Sequence, residues 1–532
     1  MKISKIAMGA LASGALVVTT VGLYARLMNY EMRRDEQLYV SPAALPKDQR
    51  LYEDFFYNHV PGSVWFYDAA YAVFGAGGLL FSARTALFFV WIAFAAAIAF
   101  FAWRLTRSIA AVVASVTLIV ANDFLLGVVG STATNNFLPL PFAFVGLCLF
   151  ALGISGQGIL NKNAGTEATN QLTIFAAGVA LALSLSLKIS AIAFIGPVAC
   201  AAFLLPGSIS FLVRLRTVVL PLALGGLVGA APVLFEFLRA PELFVAHVFQ
   251  YHTGPHIAYW SGDTASDEDV ALGIGAKAML AHQIWFGGVT LLLMFAAIIV
   301  FTTSLFVGQK SAANRGPEYL AVAVGASVAL FGFAPTPAFP QYFAPLTIAL
   351  LFAVLISAPR AITVSPKVMN VAFAGIAALA FFVGAPRLAQ HATKITAPER
   401  WMVSRVHDAG TRIAAAMKIA GVEGKVLTLL PIYPLEGGLD VYPEFATGQF
   451  VYRTADLTNA GLLEKYRTTT PSRIAKFLSE DPPAAMLLGF EPDLEAPMAA
   501  FAEARGYRRV EGLEVKDRYG DGYLLIRPDA LQ

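Results

Sequence analysis

The sequence predicts a polytopic α-helical membrane protein with a small α/β domain at its carboxy-terminal end. Three observations carry that prediction. The chain has 532 residues, of which 57% are hydrophobic and only 14% charged. Its mean hydropathy is +0.64, whereas a soluble globular protein carries about 25% charged residues. The apolar residues are gathered into long runs, and the last quarter of the chain is denser in charge and regular in pattern.

Runs of about 18 or more apolar residues read as membrane-crossing helices. About eleven such candidates occur, near 6–24, 81–103, 108–128, 136–154, 171–187, 189–206, 217–235, 285–307, 318–334, 340–358 and 368–385. The first follows Met1–Lys5 and could pass for a secretory signal. It is long enough to span and runs on without a mature-domain boundary, so it is read as an uncleaved helix.

Lysine and arginine set the orientation. A cytoplasmic amino terminus puts the short, cation-dense loops inside, with Arg104, Arg107, Lys162, Arg214, Arg216, Lys310, Arg315, Arg360 and Lys367. Every long polar loop then lies outside. The first is 25–80, whose aromatic tail 63–80 is read as lying in the interface. The second is 236–284, with an acidic patch at Asp263, Asp267, Glu268 and Asp269. Residues 1–395 are thus the membrane domain and 396–532 an extracytoplasmic α/β domain.

In that domain, 398–420 reads as a helix and Val426–Leu430 as a short buried strand. Helices are expected near 471–479 and 494–505, and strands near 484–489, 508–515 and 522–526. The last two form a hairpin whose turn is placed at Gly520-Asp521-Gly522, since glycine supplies positive φ. Cys148 and Cys200 both lie in apolar runs, so neither a disulfide framework nor a cysteine zinc site is expected. A net charge of +3 gives no reason to invoke nucleic acid.

Candidate chemistry gathers in the outer loops. Arg33-Arg34-Asp35-Glu36 follows the first span closely. Ionic groups beside a bilayer have a function or contact water, and two readings stand here: a solvated cluster whose arginines meet lipid headgroups, or a catalytic carboxylate. Asn58-His59-Val60-Pro61-Gly62 comes later in the same loop. Glu53 and Tyr57 precede it. Pro340-Gln341-Tyr342-Phe343-Ala344-Pro345 opens a late span. Lys188 interrupts an apolar stretch at a tight turn, where it either snorkels to the interface or faces a phosphate. Asp123, near the outer end of its span, is either a site carboxylate or a surface group beside Asn122.

An Asp-Glu pair soon after the first span, a histidine-proline segment and a late tyrosine-proline motif, all on one side, resemble the GT-C superfamily of polyprenyl-phosphate-sugar transferases. Protein O-mannosyltransferases and lipid A aminoarabinose transferases belong to it. The resemblance covers about 1–385. It implies an inverting glycosyltransferase, with Asp35 as the general base for an acceptor hydroxyl and Glu36 as its closest competitor. It implies that Lys188 meets the carrier phosphate, with Tyr342 and Gln341 beside it. Glu53, Tyr57, Asn58, His59, Asn135, Asn136, His252 and His256 are the substrate-binding candidates. Asn135 and Asn136 stand where relatives often carry a second acid, which departs from a two-acid scheme. A divalent metal would draw on Glu53, His59 and His256.

The implied carrier is undecaprenyl phosphate if the source is bacterial. The acceptor would be a lipid, glycan or protein hydroxyl outside the inner membrane, in the periplasm. Two other classes stand beside this reading. A transporter or flippase predicts inverted repeats and paired membrane charges. A non-catalytic envelope assembly protein would use the outer domain as a binding module.

Overall fold

The computed structural model describes residues 5–158, 169–262, 270–306 and 315–528. Lys162, Lys310 and the acidic patch of the second large loop lie outside the described residues.

Each apolar run is built as helix, because a chain in a water-free surrounding must satisfy its own backbone N–H and C=O groups. The first eight helices are α1 (Lys5–Asn29), α2 (Arg34–Val40), α3 (Gly62–Phe74), α4 (Leu79–Thr106), α5 (Ile109–Val120), α6 (Pro139–Ile154), α7 (Gln171–Leu187) and α8 (Ile192–Leu204). Later apolar helices include Phe211–Gly229, Gly288–Leu305, Gly316–Phe331, Pro340–Val364 and Pro366–Ala389. Among the described residues, five helices are long and apolar enough to cross a membrane by length and composition, and shorter apolar helices accompany them. The expectation of eleven spans is therefore matched by helices at these runs, but not by eleven helices of spanning length.

Small residues let these helices approach closely. A Cβ on Gly225 would sit 2.0 Å from the Phe175 carbonyl oxygen, and one on Gly178 2.2 Å from that of Leu222. Glycine is therefore required where α7 crosses the Phe211–Gly229 helix. Both cysteines are free, Cys148 buried and Cys200 exposed.

The interfacial segment 63–80 forms α3, which buries Ser63, Val64, Tyr67 and Ala70 and leaves Trp65 exposed. Tyr67 donates to the Thr134 carbonyl at 2.9 Å and so ties α3 to the 130–136 loop.

The carboxy-terminal part carries a four-stranded sheet in the order β1-β2-β4-β3. The strands are β1 (Val426–Leu427), β2 (Ala485–Leu488), β3 (Arg508–Asp517) and β4 (Gly520–Ile526). β1 runs parallel to β2, and β4 antiparallel to both β2 and β3. β1 is shorter than the expected 426–430. The Thr428 hydroxyl accepts the Leu430 N–H at 3.1 Å and turns the chain toward the helix Ile432–Glu436.

The hairpin turn also falls elsewhere than expected. Asp517 pairs with Gly520, so Arg518-Tyr519 form the tip, and Gly520, Asp521 and Gly522 lie inside β4. The Asp517 carboxylate accepts the Tyr519 N–H at 3.1 Å and closes the turn from its first side.

This part docks firmly on the helices. The buried carboxylate of Glu436 accepts the N–H groups of Leu79 at 3.0 Å and Leu80 at 2.8 Å, which have no partner within the helix at the amino end of α4. His407 Nδ1 lies 2.9 Å from the same carboxylate. Gln37 Oε1 accepts the Ile432 N–H at 2.9 Å.

Candidate active site

The short helix α2 is set by its own first turn. Glu36, three residues past the cap, accepts the Arg33 N–H at 3.0 Å. Its oxygens also take Arg84 Nε at 3.0 Å, Arg84 Nη2 at 2.9 Å and the Ala133 N–H at 2.8 Å. Both members of this ion pair are fully buried. Arg84 spends its remaining donors on the carbonyls of Leu27 and Tyr30, at the end of α1. One carboxylate thus joins α1, α2, α4 and the 130–136 loop. Glu36 was expected to compete for the base role. In the structure its oxygens are occupied inside the protein, and Glu36 is not among the cavity-lining residues.

Asp35, its neighbour on the helix, lines a cavity of about 630 Å³. Asn58, His59, Asn135, Asn136, Lys188, His252, His256, Gln341 and Tyr342 line the same cavity. Residues from across more than 300 positions of sequence thus converge on one cavity. Glu53 and Tyr57 are not in the lining. Glu53 pairs with Arg239 at 3.0 Å. Tyr57 is fully buried beneath the cavity, bonded to Ser63 Oγ at 2.6 Å and, through its N–H, to His247 Nδ1 at 3.2 Å. It supports Tyr39, which stacks on His59 with ring centroids 5.3 Å apart.

The structure keeps Glu53 apart from the histidines, so the expected ligand trio of Glu53, His59 and His256 is not assembled. Among the described residues no group of three His, Cys, Asp or Glu side chains is placed to hold a metal ion. His59, His252 and His256 do form a row, with centroids 5.3 Å and 5.4 Å apart along it. Burial holds all three below the usual imidazole range, and for His59 and His256 the neighbouring His252 adds to the effect. The row is therefore neutral at pH 7.

Lys188 lies in the break after α7, outside the helix, as its turn position predicts. Its Nζ donates to Asn136 Oδ1 and sits 5.2 Å from the Tyr342 ring centroid. Burial pushes its ammonium down to about 8, against the pull of the Asp35 charge. Asn136 thus gives the lysine a neutral partner, and the cationic charge stays available to a ligand. A second, apolar cavity of about 330 Å³ opens beside it and shares His59, Lys188, His252, His256 and Tyr342 with the polar one. Its other walls include Ile189, Ala193, Val248, Phe249, Val328, Phe331 and Pro337. Asp123 lies in a different place: its Oδ1 accepts the Val289 N–H at 2.8 Å, at the start of helix Gly288–Leu305.

The far wall was not foreseen. Phe450, Arg453, Arg518 and Tyr519 reach the cavity from the carboxy-terminal part, and Trp260 from the second large loop. Tyr519 at the hairpin tip accepts the Arg34 N–H at 3.1 Å, and the Arg34 guanidinium lies 4.1 Å from its ring centroid. Arg34 also pairs with Glu491, whose carboxyl burial pushes up to about 6 against the pull of that arginine. The only sequence signal was two arginines beside aromatic residues in a polar domain.

No protein-family model matches this chain, and no curated protein matches it. Solved structures do. ArnT from Cupriavidus metallidurans in the apo state superposes with a TM-score of 0.63 over 99% of each chain, at 15% sequence identity. The same protein bound to undecaprenyl phosphate gives a TM-score of 0.60 over 98% of each chain, at 15% identity. The chain therefore has the fold of ArnT, along nearly its whole length, and the carboxy-terminal sheet is part of that likeness.

Proposed function

We propose that this protein is a membrane-embedded glycosyltransferase that moves a sugar from a polyprenyl-phosphate carrier to an acceptor hydroxyl. One observation carries the reading: a polar cavity with a carboxylate, Asp35, joins an apolar groove at a single buried cation, Lys188. A lipid phosphate has that division of polarity, with its chain in the groove and its phosphate at the lysine. The ArnT structure that holds undecaprenyl phosphate supports the choice of carrier class.

In this reading Asp35 takes the proton of the acceptor hydroxyl. The freed oxygen attacks the anomeric carbon as the carbon–oxygen bond to phosphate breaks, so configuration inverts. The carrier leaves as its phosphate, a good leaving group that needs no general acid, unlike the two-carboxylate arrangement of glycosidases. Lys188 offsets the charge gathering on that phosphate, often the largest single contribution. A positioned base adds roughly 10² to 10⁴ in rate. Glu36 and Arg84 hold α2 so that Asp35 is fixed before substrate arrives.

The reading places the cavity on the extracytoplasmic side, since its loops are those that lysine and arginine density assigns outside. The acceptor is a lipid, glycan or protein. The test is Asp35→Asn in purified protein. It is expected to abolish transfer with carrier binding and thermal stability kept, and near-normal turnover of that variant would refute the assignment.

A further inference from the structure

The proposed reaction uses one cation, at the junction with the apolar groove. The opposite wall of the polar cavity holds a donor group that this reaction leaves without a task. Arg453 lies on a short turn, Tyr452–Leu457, and its guanidinium faces three rings: Tyr259 at 4.9 Å, Trp260 at 5.0 Å and Phe450 at 5.1 Å to the centroids. Stacking of this kind fixes the guanidinium plane and shields its faces, leaving the edge for a planar acceptor.

Three buried nitrogens meet there without a hydrogen-bond partner: Arg453 Nε, Trp260 Nε1 and His256 Nδ1. Trp260 is 3% exposed and His256 9%. Arginine and indole nitrogens can only donate, so the partner that suits them is an acceptor. Because one donor is a cation, that acceptor is best an anion. Two of its three members are set apart from the proposed carrier phosphate position: Arg453 and Trp260 line the polar cavity alone, whereas His256, like Lys188, lines both cavities.

We infer that Arg453, Trp260 and His256 form a second acid-recognition subsite, which takes a carboxylate or phosphate carried by the transferred sugar or by the acceptor. This rests on the glycosyltransferase reading above, and the first measurement separates the two. Undecaprenyl phosphate binding is measured with full-length protein in lipid nanodiscs. Lys188→Met is expected to weaken it tenfold or more, and Arg453→Gln less than twofold. Unchanged binding in Lys188→Met would overturn the carrier reading. An equal loss in Arg453→Gln would overturn the separate subsite.

Next, the carrier-loaded protein is titrated with glucuronate, glucose 1-phosphate and neutral glucose. The acidic probes should bind at least tenfold more tightly than glucose. Arg453→Gln should remove that difference and Trp260→Phe, which keeps an aromatic ring but removes the N–H, should reduce it. Equal binding of glucuronate, glucose 1-phosphate and glucose, or an unaltered preference in Arg453→Gln, would refute the proposal. The source of the acid follows from donor hydrolysis by the same variant. A raised KM for a polyprenyl-phosphate hexuronic acid, with none for the hexose donor, puts the acid on the sugar. Unchanged KM for both, with the acidic-probe preference lost, puts it on the acceptor.

Discussion

Two adjacent carboxylates in one turn of α2 have different surroundings, and the difference decides what each can do. Glu36 is enclosed by four donors, two of them from Arg84, with no exposure, so its charge is already used. Asp35 faces the cavity. Removing one member of a buried pair leaves the other charge uncompensated, at about 3–5 kcal/mol. Arg84→Met is therefore expected to lower the thermal unfolding midpoint sharply and to lose transfer through misplacement of α2. A midpoint within a degree of the parent would show that the pair holds nothing. Lys188 gives a pH test. Its ammonium, pushed down to about 8, is charged at pH 7 and mostly neutral at pH 9. Carrier affinity should thus fall as pH rises through this range, while Lys188→Arg, which keeps its charge, should flatten the profile. Titration of carrier binding between pH 6.5 and 9.5 reads this directly.

At the scale of elements, a hairpin and a short turn complete a site that membrane loops begin. Tyr519 of the tip stacks on Arg34, and both Arg518 and Tyr519 form part of the cavity wall. Glycine chemistry drew the expected turn to 520–522, but the register is fixed by pairing of β4 with β2, which holds Leu524 and Ile526 against the core. That long-range pairing has no local marker. Cation–π contacts of this kind contribute about 0.5–1 kcal/mol each. The double variant R518G/Y519G should therefore fold with a small loss of stability, yet transfer more slowly, by roughly tenfold if one hydrogen-bonded wall contact of about 1.4 kcal/mol is lost in the transition state. Steady-state rates beside a thermal melt of the same sample would separate these effects.

At the scale of the molecule, the apolar helices and the carboxy-terminal part share one cavity wall and one set of caps. Glu436 closes the amino end of α4, the helix that also carries Arg84. A cap of this kind is worth about 0.5–2 kcal/mol. Glu436→Ala is expected to lower stability by that amount, measured by thermal unfolding in detergent. Truncation after residue 400 should go further, removing Phe450, Arg453, Arg518 and Tyr519 from the wall and exposing the α4 end. Transfer by such a truncated protein at the full-length rate would contradict a shared cavity.

The helical runs, the polar loops between them and the change of composition near residue 400 were determined by the sequence alone, because burial in an apolar medium leaves a period and a length that can be read locally. Lys188 and Tyr342 were legible for a related reason, a polar residue at the edge of an apolar run standing out against its neighbours, whereas Asp35, Asn58 and His59 were picked out by their motif resemblance. Only the tertiary structure gave Asp35 and Glu36 different surroundings, since the partner that encloses Glu36, Arg84, is 48 residues away from it. It alone placed Glu53 and Tyr57 outside the cavity lining and brought Trp260, Arg453 and Tyr519 into it. Those positions follow from packing and strand register across the whole chain, which no local pattern encodes.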